Sequence, residues 1–91
     1  MNNEIGFHHI REYEILEDNT RVVSGKGGMT VAFREVVPGL MEYTWAACNV
    51  KDNFSRRIGR DISSGRLLND KGVEVYHGSY KEFLSFLNEG V

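Results

Sequence analysis

Arg56 and Arg60 stand four residues apart in the run Lys51-Asp52-Asn53-Phe54-Ser55-Arg56-Arg57-Ile58-Gly59-Arg60-Asp61-Ile62-Ser63-Ser64-Gly65-Arg66. On a helix that spacing makes the two guanidiniums neighbours on one face. Like charges so placed repel by a few tenths of a kcal/mol, and an anion held between them removes that cost. A guanidinium fork grips phosphate through two parallel hydrogen bonds, so phosphate is the anion the pair suits best. The charge count isolates this run. It carries five of the chain's 11 Lys and Arg and two of its 13 Asp and Glu, so the rest of the chain holds six bases against 11 acids.

Gly59 lies between Ile58 and Arg60. A glycine inside a helix costs about 1 kcal/mol relative to alanine, so a close neighbour is expected there. A phosphorylated ligand with a flat ring system also needs an aromatic face, and Phe33 and Trp45, on expected strands, are the candidates. Asn49 and Lys51, at the junction before the helix, can add polar contacts near its positive N-terminus. The competing reading is an ordinary solvated helix face, with Arg57 and Asp61 as an i, i+4 ion pair.

Other residues carry less chemistry. Gly25-Lys26-Gly27-Gly28 lacks the spacing of a phosphate-binding P-loop and is read as a flexible loop. His8 and His9, in the expected N-terminal tail, and His77 do not form a spaced Cys/His set, so no metal site is expected. Cys48 precedes the helix and has only His77 as a conceivable base, without a third orienting group. Paired carboxylates and a Ser-His-Asp arrangement are absent. No catalytic residue and no cofactor is expected.

The elements that must position the arginines follow from periodicity and turn residues. Residues 10–16 and 20–24 read as strands joined by an Asp18-Asn19 turn. Residues 29–37 and 41–48 read as a pair of longer strands around Pro38-Gly39, forming the antiparallel centre of a sheet. A helix is expected over 53–66, capped by Asp52 or Asn53, with Phe54, Ile58 and Ile62 as its buried stripe and Arg56 and Arg60 roughly opposite. A short strand at 73–77 follows. A terminal helix opens on a Ser79/Glu82 capping box and ends at Gly90. The fold class is therefore α+β: an antiparallel sheet of four to five strands with two helices packed on one side, in the order β-β-β-β-α-β-α. The 91 residues make a single domain, with 1–9 as a loose N-terminal segment.

Composition bounds the function. A 41% apolar content supports one core. The formal charge of −2 argues against long nucleic acid as a partner. No apolar stretch approaches the roughly 20 residues needed to span a bilayer, so no membrane partner is expected. No signal peptide is visible at the N-terminus, and the single Cys48 points to a reducing compartment.

The segment Ala46 to Leu67, with Lys51-Asp52-Asn53-Phe54-Ser55-Arg56, Gly59-Arg60-Asp61-Ile62 and Gly65-Arg66-Leu67 as its marks, resembles small bacteriophage proteins. Within them it is most similar to the Thoeris anti-defence sponges. The chain is shorter than that family and lacks its helical N-terminal region. The resemblance implies a non-enzymatic, oligomeric protein of the host cytoplasm that sequesters a cyclic nucleotide immune signal, either a cyclic ADP-ribose isomer or a cyclic oligonucleotide. Arg56 and Arg60 would contact the ligand. A homo-oligomer, dimer or higher, is expected, because a chain this small needs a second subunit to close a tight site. The alternative is a protein–protein inhibitor of a host nuclease complex, of the anti-CRISPR or anti-restriction type, using the acidic remainder as a nucleic-acid mimic. A helix-borne nucleic-acid binder is the third reading, opposed by net charge.

Overall fold

The chain reverses at Pro38-Gly39, and the alternating runs on either side pair with each other, Val31 opposite Trp45 and Phe33 opposite Tyr43. The computed structural model describes residues 4–89. Its elements are β1 (Gly6–Ile10), β2 (Tyr13–Ile15), β3 (Arg21–Val23), β4 (Met29–Val37), β5 (Leu40–Ala47), α1 (Arg56–Leu68), β6 (Glu74–His77) and α2 (Tyr80–Asn88). Strands β1, β4, β5 and β6 form one antiparallel sheet in that spatial order, and β2 and β3 form a separate two-stranded ribbon. The α+β class and the antiparallel sheet with two helices stand as the sequence implies.

Two boundaries differ from expectation at the N-terminal end. Residues 6–9, read as a loose segment, pair with β4 as an edge strand. The single strand expected over 10–16 is divided, with Ile10 closing β1 and Tyr13 opening the ribbon. Residues 1–3 and the proposed terminal glycine, Gly90, lie outside the described residues.

The two helices lie on opposite faces of the sheet rather than on one side. Strand alternation sends Val31, Phe33, Met41 and Tyr43 to one face. There they join Phe83 and Leu87 of α2 in the apolar core. Each such side chain, fully buried, contributes about 1.5–3 kcal/mol. The Ser79/Glu82 capping box that starts α2 is present, with both reciprocal hydrogen bonds formed.

The other face is built from small residues. The register sets Thr30 beside Ala46 and Ala32 beside Thr44, and all four are buried. Helix α1 lies over them on Gly59, Ser63 and Leu67, with Ser63 and Leu67 fully buried. The Thr44 hydroxyl donates to the Ser63 carbonyl at 2.7 Å. The Ser63 hydroxyl turns back to the Gly59 carbonyl at 2.6 Å. The buried stripe is thus displaced by one residue from the expected Phe54/Ile58/Ile62 set. Phe54 precedes the helix, and Ile58 and Ile62 are 58% and 43% exposed. Small side chains win the inward position because they let helix and sheet approach closely enough for the Thr44–Ser63 bond.

Candidate anion-binding site

Helix α1 starts where its backbone first finds a cap. That residue is Ser55, whose hydroxyl accepts from Ile58 N at 3.2 Å, and not Asp52 or Asn53. Asp52 and Asn53 are engaged elsewhere. Gly27 N donates to the Asp52 carbonyl at 3.1 Å, Phe54 N donates to the Gly25 carbonyl at 2.8 Å, and Lys26 bridges Asn53. The glycine segment expected as a flexible loop is therefore a clasp that holds the chain entering α1. Gly28 is required in it. Its φ is +90°, and a Cβ there would lie 2.8 Å from the Ile10 carbonyl oxygen and 2.9 Å from the Phe54 ring.

With Gly59 directed at the sheet, a step of about 100° per residue sends the Ile58/Ile62 flank of α1 one way and the Arg56/Arg60 flank the other. Both arginines are exposed. The first turn of α1 contains no acidic residue but begins with Arg56 and Arg57. Cations at this end oppose the helix dipole, by about 0.3–1 kcal/mol each at a surface, and an anion reverses that sign.

The charges of Arg56 and Arg60 reach His9. His9 pairs with Thr30 across the β1–β4 ladder and shares its face. Its Nδ1 lies 2.8 Å from the Thr30 hydroxyl, and its ring meets the Phe54 ring edge-on, centroids 5.7 Å apart. The Arg11 guanidinium stacks over the Phe54 ring, 4.3 Å from its centroid, and donates to the Ser24 carbonyl at 2.8 Å. Burial lowers the His9 pKa below the usual histidine value, and the charges of Arg56, Arg60, His8 and Arg11 lower it further. All four of these charges oppose protonation of His9.

The expected site residues are only partly gathered. Arg56 and Arg60 stand together. Phe33 does not reach them: it is 5% exposed on the opposite face, packed on Phe83 and Tyr80. Trp45 shares that face by alternation and packs partly buried against the same core. Asn49 folds its side-chain oxygen onto Lys51 N at 2.9 Å, and Lys51 is exposed in the loop. Asn49 also lines a cavity of about 240 Å³ with Phe54, Ile58 and Ile62, on the flank of α1 away from the arginines. Neither Asn49 nor Lys51 joins the cationic group.

Three participants escaped the sequence reading: His9, Arg11 and Phe54. The run Ile5-Gly6-Phe7-His8-His9-Ile10 has strand-like alternation, which was the available signal for His9. Nothing local marks Arg11 or Phe54, whose roles depend on the clasp. His8 pairs with Val31 and so faces away from His9, and His77 sits on β6 at the far edge of the sheet from β1. Among the described residues no three His, Cys, Asp or Glu side chains converge as metal ligands. Arg57 and Asp61 are likewise not joined, whereas Arg34 and Glu42 form an ion pair at 3.0 Å.

Fold and site together define a small α+β protein with a surface cluster of cations at a helix N-terminus. Comparison of the chain with family models, with curated proteins and with solved structures finds no match.

Proposed function

We propose that this protein binds and sequesters a small phosphorylated ligand of the cyclic nucleotide class, without cleaving it, as a phage counter-defence protein in the host cytoplasm. The observation that carries the reading is the cationic grouping at His9: Arg56 and Arg60 of α1 act on it together with Arg11, just past the end of β1, whose guanidinium stacks on the Phe54 ring that His9 meets edge-on. Such a grouping is unfavourable empty and is relieved by an anion. The resemblance of residues 46–67 to the Thoeris sponges supplies the ligand class, a cyclic ADP-ribose isomer or a cyclic oligonucleotide. Arg56 and Arg60 would grip the phosphates, His9 would add a ring nitrogen, and the Phe54 edge would adjoin the ring system. The cluster is open to solvent, so a second subunit would complete a tight site.

Calorimetry of the protein with cyclic ADP-ribose isomers and with cyclic di- and trinucleotides tests this. Micromolar or tighter binding that is lost on replacing Arg56 and Arg60 supports it, and no heat with any of them removes it. One observation favours a second reading. The ribbon segment 12–18 holds Glu12, Glu14, Glu17 and Asp18, an acidic surface of the kind an inhibitor of a host nuclease would present. A stoichiometric nuclease recovered from host lysate, with binding indifferent to Arg56 and Arg60, would select it.

A further inference from the structure

The chain leaves the sheet between Ile10, the last residue of β1, and Tyr13, the first of β2. A cavity of about 370 Å³ opens there, between β1, the ribbon and the last turn of α2. That volume falls within the range of about 300–1,000 Å³ usual for small-molecule sites. Its polar lining comes from His8, Arg11, Tyr13 and Arg21, and its apolar lining from Ile10 and Leu87. No acidic side chain lines it.

The cavity lies across the sheet from the arginine pair of α1. His8 is paired with Val31, whose side chain belongs to the core under α2, so His8 shares that face. The cavity borders the grouping described above at His9 and Arg11, but His8, Tyr13 and Arg21 belong to it alone, and neither Arg56 nor Arg60 lines it.

Both guanidiniums are held in place. Arg21 lies over the Tyr13 ring, 4.4 Å from its centroid. Arg11 is fixed by the Ser24 carbonyl and the Phe54 ring. Its Nε is buried and has no hydrogen-bond partner among the described residues. An unpaired donor on a charged group is costly, so the charge of Arg11 is incompletely compensated by the protein. A concave surface lined by one sign of charge concentrates counter-ions. Guanidiniums select phosphate among them, through paired hydrogen bonds. Ile10 and Leu87 offer an apolar wall to whatever carries the phosphate.

We propose that this cavity is a second anion-binding site, which takes a small organic phosphate: the phosphate lies at Arg11 and Arg21, and its apolar body lies against Ile10 and Leu87. The inference goes beyond the cyclic nucleotide reading and does not rest on it. Failure of every cyclic nucleotide to bind would leave it intact.

NMR titration of the full, isotope-labelled chain tests it, with phenyl phosphate, inorganic phosphate and benzyl alcohol as probes. Phenyl phosphate should shift the amides of His8, Tyr13, Arg21 and Leu87 saturably, with a dissociation constant below about 1 mM. Inorganic phosphate should shift the same amides but bind at least about threefold more weakly, for want of the apolar contact. Arg21→Gln, an exposed substitution whose folding the same spectra verify, should weaken phenyl phosphate about tenfold, the loss of a charge-assisted hydrogen bond. The Arg56→Ala/Arg60→Ala double variant should keep the shifts at His8 and Arg21. Unshifted amides at this cavity, undiminished affinity in Arg21→Gln, or shifts lost in the double variant would each overturn the proposal. So would inorganic phosphate or benzyl alcohol binding there as tightly as phenyl phosphate.

Discussion

Gly59 of α1 rests directly on Thr30 of β4. A Cβ at Gly59 would fall 2.8 Å from the Thr30 Cβ and closer still to its hydroxyl oxygen. The same hydroxyl holds His9 Nδ1 at 2.8 Å. The helix glycine that looked costly in isolation is therefore the seat on which helix, sheet and candidate ligand group are brought to one spacing.

Gly59→Ala should destabilise the protein although alanine is the better helix former. Overpacking of this kind costs about 1–3 kcal/mol, against about 1 kcal/mol of helix propensity gained. Gly65, in the same helix, has no atom within 4 Å of the Cβ position, so Gly65→Ala should stabilise by up to about 1 kcal/mol. Urea denaturation of the two variants should move the midpoint in opposite directions.

Arg56→Ala and Arg60→Ala should part stability from binding. Removing Arg56 takes a cation from the positive end of α1, so the free protein should melt at the same temperature or slightly higher. Affinity for the ligand should fall about 10- to 100-fold per arginine, the worth of a charge-assisted hydrogen bond. Calorimetry beside thermal melting reads both quantities. A fall in stability with affinity preserved would show the arginines to be structural.

Protonation of His9 should pull the free and the bound protein in opposite directions. Its folded pKa lies below the ordinary 6.5, so the unfolded chain binds more protons in that window, and stability of the free protein falls as pH drops through it. A bound anion favours the imidazolium. Affinity for a phosphodiester, which does not itself titrate there, should therefore rise as pH falls, by at most about tenfold per pH unit for one linked proton. His9→Gln should flatten both curves.

Phe33 and Phe54 should exchange the roles the sequence suggests. Phe33→Leu should lower stability by about 1–3 kcal/mol through the core and leave ligand affinity unchanged. Phe54→Leu, which removes the ring that His9 and Arg11 share, should weaken binding by more than it lowers the denaturation midpoint. Calorimetry and urea titration of the pair decide the assignment.

The sheet was legible because Met29 to Ala47 alternates around a Pro-Gly turn, and the α2 cap because Ser79 and Glu82 are a local signal. The orientation of α1 was not. Periodicity weights Phe54, Ile58 and Ile62 by hydrophobicity, whereas the inward positions went to Gly59 and Ser63 for their size and for one hydrogen bond from Thr44. The arginine pair was legible from spacing. Its partners were not, because His9 and Arg11 arrive through a strand ladder and a glycine clasp whose hydrogen bonds join residues far apart in the chain, Gly25 to Phe54 among them. Asn49 was near in sequence, but its side-chain oxygen is taken by the Lys51 backbone N–H.

The two faces of the sheet should accumulate substitutions at different rates. Under α2, large side chains such as Phe33, Met41, Tyr43 and Phe83 can trade volume with one another, and lineages can drift there by compensated exchange. Under α1, Gly59 rests on Thr30, and Ala32, Thr44 and Ser63 are small and buried, so added bulk at these positions must lift the helix. A pooled library of single substitutions, selected for folded protein, should therefore show one permissive face and one nearly frozen, separated by the thickness of a single strand.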